Sequence, residues 1–86
     1  MNNKNKILVN LSVPSIERSF DIFIPTNKKI GTVKSLIEDA LIRISDNVYI
    51  KRDDTNIYNR TTGNVYNVNT TIRDTDLKNE SRIMIM

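Results

Sequence analysis

Residues 7–13 read Ile-Leu-Val-Asn-Leu-Ser-Val. Ile7, Val9, Leu11 and Val13 fall on one side of an extended chain; Leu8, Asn10 and Ser12 fall on the other. This period of two predicts a strand with one buried face. Pro14-Ser15 and Glu17-Arg18 then break the alternation and predict a turn. Residues 19–25 alternate again, with Phe20, Ile22 and Ile24 opposite Ser19, Asp21, Phe23 and Pro25. Two such strands joined by about five residues predict an antiparallel hairpin. Pro25 has no N–H to give a ladder, so it ends the second strand.

The period changes over residues 30–44. Ile30, Val33, Ile37, Ala40, Leu41 and Ile44 recur at i, i+3 and i+4, which predicts an amphipathic helix of about four turns. Lys34, Glu38, Asp39 and Arg43 fall on the opposite, solvent side in this reading. Lys34 and Glu38, four apart, make a pair worth about 0.3 kcal/mol on a solvated helix. Ser45-Asp46-Asn47 supplies the stop. The second half carries weaker patterns. Residues 48–50 fit either a short strand or an ordered loop. Asp53-Asp54-Thr55-Asn56 and Thr61-Thr62-Gly63-Asn64 are turn signals. Residues 57–60 predict a short strand and 65–67 a shorter one. Residues 69–77 form a polar crossover anchored by Ile72 and Leu77, and 82–86 form the last strand.

The order strand, strand, helix, strand, short strand, crossover, strand predicts an α+β fold. A helix crosses one face of a mixed sheet, and the terminal strands are neighbours at its centre. That arrangement is the β-grasp. The expected core comprises Ile7, Val9, Leu11, Val13, Phe20, Ile22 and Ile24 from the hairpin and Ile30, Val33, Ile37 and Leu41 from the helix. Ile57, Ile72, Leu77, Ile83 and Ile85 close it.

Composition narrows what such a fold can do. With 86 residues there is material for one core, so residues 7–86 are expected to form a single domain behind a flexible polar tail, residues 1–6. Neither cysteine nor histidine occurs. Disulfides, thiolate chemistry, and zinc, iron–sulfur or haem sites of ordinary type are therefore excluded, along with the commonest acid–base residue. No catalytic residue, cofactor, metal or small-molecule substrate is expected, and the chain does not read as an enzyme. The net charge of +3 is mild, and Lys and Arg are dispersed; the densest cluster, Lys28-Lys29 with Lys34, reads as a solvated face rather than a phosphate site. No apolar run is long enough for a signal peptide or a spanning helix, so a cytoplasmic location is expected. Thirteen Ile and twelve Asn fit an A+T-rich genome and a low-GC bacterium.

Two stretches resemble known proteins. Residues 71–85, from Thr71-Ile72-Arg73-Asp74 through Lys78-Asn79-Glu80-Ser81 to Ile85, are similar to the closing segment of ubiquitin. The stretch Phe20-Asp21-Ile22-Phe23-Ile24-Pro25, a four-residue loop, then Ile30-Gly31-Thr32-Val33-Lys34-Ser35-Leu36-Ile37 resembles the small bacterial ubiquitin-like proteins of type VII (WXG-type) secretion clusters, the YukD/EsaB-like family. The resemblance spans about residues 7–44 and 56–86 and departs at 46–55, where this chain is longer. It implies a non-conjugating ubiquitin-like adaptor or regulatory protein. Its expected partners are membrane or cytosolic components of the secretion machinery, which would recruit it to the inner face of the membrane. Conjugation and sulfur transfer need a flexible tail ending in Gly-Gly. Here the only glycines are Gly31 and Gly63, so neither is expected unless further residues follow.

The expected protein-binding residues lie on the outer sheet face. Alternation turns Leu8, Phe23 and Met84 away from the helix, with Met86 beside them, and neighbouring strands are expected to join them into one patch. Tyr49, Tyr58 and Tyr66 read as half-buried covers of a sheet edge. With Lys51, Arg52 and Arg60 they offer an alternative, a small nucleic-acid-binding module; a mobile-element accessory protein is a further one. Asp46, Asp53 and Asp54 lack the spacing of a calcium loop and read as a solvated turn; Asp74 and Asp76 read as turn-stabilising residues rather than paired catalytic carboxylates.

Overall fold

The computed structural model describes residues 5–86. Strand β1 (Lys6–Val13) and strand β2 (Arg18–Pro25) form the hairpin. A 3-10 turn over Pro14–Ile16 joins them, and Glu17 leaves it in the left-handed region at φ 54°. Helix α1 (Ile30–Ile44) follows, then β3 (Ile57–Asn59), a 3-10 turn at Ile72–Asp74, and β4 (Ser81–Ile85). The sheet order is β2-β1-β4-β3. β1 is antiparallel to β2 and parallel to β4, and β3 is antiparallel to β4. First and last strands thus lie side by side at the centre, as the β-grasp requires. The expected tail at residues 1–6 falls partly on 1–4, outside the described residues; Lys6 already belongs to β1.

Both ends of α1 are closed by backbone. The free N–H groups of the first turn find no side-chain cap. Instead, the Ile30 and Gly31 amides donate to the carbonyls of Thr70 and Val68, each at 2.9 Å. A β-carbon on Gly31 would sit 3.2 Å from the Val68 carbonyl oxygen, so glycine permits this close crossing. At the other end Asp46 and Asn47 turn left-handed, and the Asn47 amide reaches back to the Ile42 carbonyl at 2.9 Å.

Val9, Leu11, Val13 and Ile24 of the hairpin, Ile30, Val33, Ile37 and Leu41 of α1, and Ile57, Ile72, Leu77, Ile83 and Ile85 are buried together. Three sequence expectations need correction. Phe20 and Ile22 are only half-buried, because β2 is an edge strand and α1 does not cover it; Ile7 at the end of β1 is half-buried too. Residues 65–67 form no strand, only a single bridge from Val65 to Tyr58. Of the two forms open to residues 48–50, the structure has the loop. Glu38, assigned to the solvent side of α1, is buried to 1% exposure.

Candidate protein-binding surfaces

The strand registers decide which outer-face residues meet. Leu8 lies directly opposite Phe23, as expected, and Phe23 is 60% exposed. Met84, however, pairs with Ser12 on β1 and Tyr58 on β3. Ser12 is four residues along β1 from Leu8, which is about 13 Å. The row between is polar: Asp21 opposite Asn10, Asn10 opposite Arg82. The Asn10 amide donates to Asp21 Oδ1 at 3.0 Å, and Arg60 donates across β4 to Asn10 Oδ1 at 3.0 Å. The single apolar patch expected from alternation is therefore two patches at opposite corners, Leu8–Phe23 and Met84–Tyr58, parted by a hydrogen-bonded belt. Met86 lies just past β4, exposed, its N–H and C=O paired with Asn56.

The tyrosines do not share a face. Tyr49 is buried to 5% exposure against α1, where its hydroxyl donates to Glu38 Oε2 at 2.8 Å. Burial, then the bond and charge of Glu38, push the Tyr49 phenol well above its usual range. Tyr66 donates to Asp76 at 2.7 Å and accepts from the Asn59 amide at 3.1 Å. Burial and the Asp76 bond push its pKa up to about 12. Lys51 is bonded to Ser35 and Asp39, Arg52 to Asp54, and Arg60 to Asn10. A base-stacking platform needs exposed rings beside free cations; here one ring is buried and each cation has its own partner.

Glu38 organises what covers one side of α1. Besides Tyr49, its carboxylate takes the Arg52 amide at 3.4 Å, and Lys34 lies 3.4 Å from its other oxygen. The Thr55 hydroxyl is 3.3 Å from Glu38 and 3.0 Å from the Arg52 carbonyl, its one proton serving either. The Tyr49 amide in turn donates to Ser45 Oγ at 2.8 Å. These bonds hold the longer 46–55 segment against the helix. Nothing in the residue pattern near Glu38 marks it as buried.

The other side of α1 is open. Leu36 is 54% exposed and Ile44 52% exposed. With Ala40 they face Phe20 and Ile22 of β2 across a groove of about 290 Å³, floored by Ile37. Its lining holds no polar side chain, so it lacks the convergent polar groups of a catalytic or small-molecule site. The sequence did carry a signal for it. Val33, Leu36, Ile37, Ala40 and Ile44 form an i, i+3, i+4 series wider than a helix needs to meet one sheet.

No family model and no curated protein matches this chain. Solved structures do. The ubiquitin-like domain of the Mycobacterium tuberculosis type VII secretion system protein EccD1 superimposes with TM-score 0.72 at 10% identity, covering 93% of this chain and 96% of that one. The fold is the ubiquitin-like β-grasp. A chain in the MycP5-free ESX-5 inner membrane complex matches with TM-score 0.77 at 7% identity over 95% of this chain, which spans 21% of that longer one. The ubiquitin-like domain of an Arabidopsis thaliana protein matches with TM-score 0.66 at 20% identity, covering 100% and 81%. At these identities the likeness establishes the fold. Among the described residues no helix is long and apolar enough to cross a membrane.

Proposed function

We propose that this chain is a non-conjugating ubiquitin-like adaptor or regulatory component of a bacterial type VII secretion system. It acts by binding proteins, from the cytoplasm, at the inner face of the membrane. The observation that carries the reading is the near end-to-end match with a type VII ubiquitin-like domain, 93% of one chain against 96% of the other. The sequence motif shared with the YukD/EsaB-like family points the same way. Exposed apolar side chains supply what binding needs: Leu8, Phe23, Met84 and Met86 on or beside the sheet, and the groove beside α1. The sequence holds neither Cys nor His, the commonest thiol nucleophile and acid–base side chain, which supports a role in binding rather than catalysis.

The test is co-purification. The tagged chain is expressed in a host with a type VII system, and membranes are solubilised in mild detergent. The secretion complex is expected to elute with the chain, and deleting its gene is expected to reduce export of the system's substrates. A chain that elutes alone, from a host whose export is unchanged by the deletion, removes the reading.

A further inference from the structure

Positive charge that is dispersed along the chain collects at one pole of the folded molecule. The link from β2 into α1 is zipped to residues 68–73 by backbone. The Thr26 and Lys28 carbonyls accept from the Arg73 and Ile72 amides, each at 2.9 Å, and Lys29 bridges to Thr71. The Ile30 and Gly31 amides add their bonds to Thr70 and Val68. Lys28 and Lys29 therefore share a pole with Arg73, which lies far from them in the sequence. All three are exposed, and none is in a salt bridge among the described residues. Lys34, grouped with Lys28 and Lys29 in the sequence, is not part of this pole; it lies 3.4 Å from Glu38.

Asp74, exposed beside Arg73, is the one acid within residues 26–37 and 68–74. The other cations have acids close by. Near the same end of the sheet, Lys6 lines a cleft with Glu80, and Lys78 lines one with Asp76. At the far end, Arg18 and Arg43 have Glu17 and Asp46 as neighbours. On the outer face Arg60 and Arg82 share a cleft with Asp21 and Glu80. Lys51 and Arg52 are paired with Asp39 and Asp54. Lys28 and Lys29 also stand against the local electrostatics. They precede α1, whose start is the positive end of the helix dipole and favours acids; its first turn holds none. These cations weaken the fold where they stand and gain by meeting an anion from outside.

The form of the pole selects among anions. Lys28, Lys29 and Arg73 line neither the apolar groove nor the clefts of the outer sheet face. The backbone bonds between 26–31 and 68–73 leave no open edge there for an added strand. Residues 26–32 and 68–74 hold no aromatic ring on which a base could stack. What they do present, besides the cations, is Val68, 44% exposed against the start of α1. Cations around one exposed apolar side chain, with no cleft, suit a broad negative surface rather than an enclosed ligand.

We propose that this pole rests on an anionic lipid surface, with Lys28, Lys29 and Arg73 against the headgroup phosphates. This contact deepens the reading of the chain at the inner face of the membrane, and rests on it only for which membrane is met. Attraction through so few cations is weak and salt-dependent. It orients a chain that a protein partner already holds near the membrane, where the effective lipid concentration is high.

The test is sedimentation of the full chain with vesicles of phosphatidylcholine, alone or mixed with phosphatidylglycerol. Binding to the anionic vesicles is expected to be at least about tenfold tighter at low salt, and to vanish near ~0.5 M salt. In bicelles of the same lipids, the amide signals of residues 26–32 and 68–74 should shift or broaden first. Lys28→Gln with Lys29→Gln should weaken binding at least about tenfold, and Arg73→Gln about fivefold. Arg18→Gln with Arg43→Gln removes the same charge from the opposite end and should leave binding within about twofold. Lys28→Glu with Lys29→Glu should lose vesicle binding yet melt no lower than wild type, since it sets acids at the start of α1. Equal binding to both kinds of vesicle, or equal loss from the two neutralised pairs, overturns the proposal. A single-stranded oligonucleotide that shifts the same amides at a lower concentration of negative charge than the lipid assigns the pole to nucleic acid and overturns it as well. Co-purification reports separately: if the secretion complex is absent but anionic vesicles bind through the pole, the secretion reading falls and the lipid contact stands. If the complex is captured while the vesicles are ignored, the reverse holds.

Discussion

On one flank of α1 the 46–55 segment folds back and closes over Glu38 with Tyr49, Arg52 and Thr55. On the other flank Leu36, Ala40 and Ile44 look across a groove at the edge of β2 with no other described segment above them. The difference follows from topology. After α1 the chain must travel to β3, at the far edge of the sheet from β2, and it covers the flank it passes. Among the described residues, only β2 and α1 with Leu11 of β1 line the groove on the β2 side. The two flanks also use different chemistry. The covered flank is closed by hydrogen bonds to a buried carboxylate, which are directional and fix the path of a segment with little regular structure. The open flank is purely apolar, so no polar group is stranded by leaving it exposed, and its side chains remain available to a partner.

Substitutions along α1 separate the flanks. Ile37 lies between them on the core-facing stripe, and Ile37→Ala is expected to cost about 2–5 kcal/mol in denaturant unfolding; a loss comparable to a surface change breaks the comparison at its reference point. Glu38→Ala strands the Tyr49 hydroxyl and the Arg52 amide, and is expected to cost about 2–3 kcal/mol. Tyr49→Phe removes one charge-assisted bond and should cost about 1.5 kcal/mol at neutral pH.

The tyrosines add a pH signature. Both phenols hold their protons more tightly folded than unfolded. Their stabilising contribution is therefore complete below pH 10, the usual phenol value, and is lost as pH rises above it. For Tyr66 the loss runs from about 10 to about 12; for Tyr49 it continues higher. Denaturant midpoints measured across this range should fall with pH, and fall less steeply in Tyr49→Phe. Smallest of all, Leu36→Ala on the open flank and Phe23→Ala on the outer face should each change stability by less than about 0.5 kcal/mol. A large loss at Leu36 would place that flank in the core and close the groove.

Much of this architecture is legible in the residues. Helix α1 and the hairpin repeat with periods that only one structure satisfies, and α1 begins and ends where the apolar spacing does. What is not legible depends on contacts between distant segments. Glu38 sits four residues from Lys34 on what reads as a wet face, and only the return of Tyr49 and Thr55 buries it. Alternation places Met84 on the outer face correctly, yet its distance from Phe23 is set by the parallel register of β1 and β4. That register comes from the crossover path rather than from any pattern in either strand. Phe20 and Ile22 have the spacing of core residues, and only the strand order shows that they lie at an edge.

The most direct test of the central claim, that the open flank of α1 is where a partner docks, is site-specific photo-crosslinking in the native host. A photoreactive residue is placed at position 36, on the open flank, or at position 53, on the segment that covers the other. The account predicts an adduct with a component of the secretion complex from position 36 and none from position 53. An adduct from position 53 alone would contradict it.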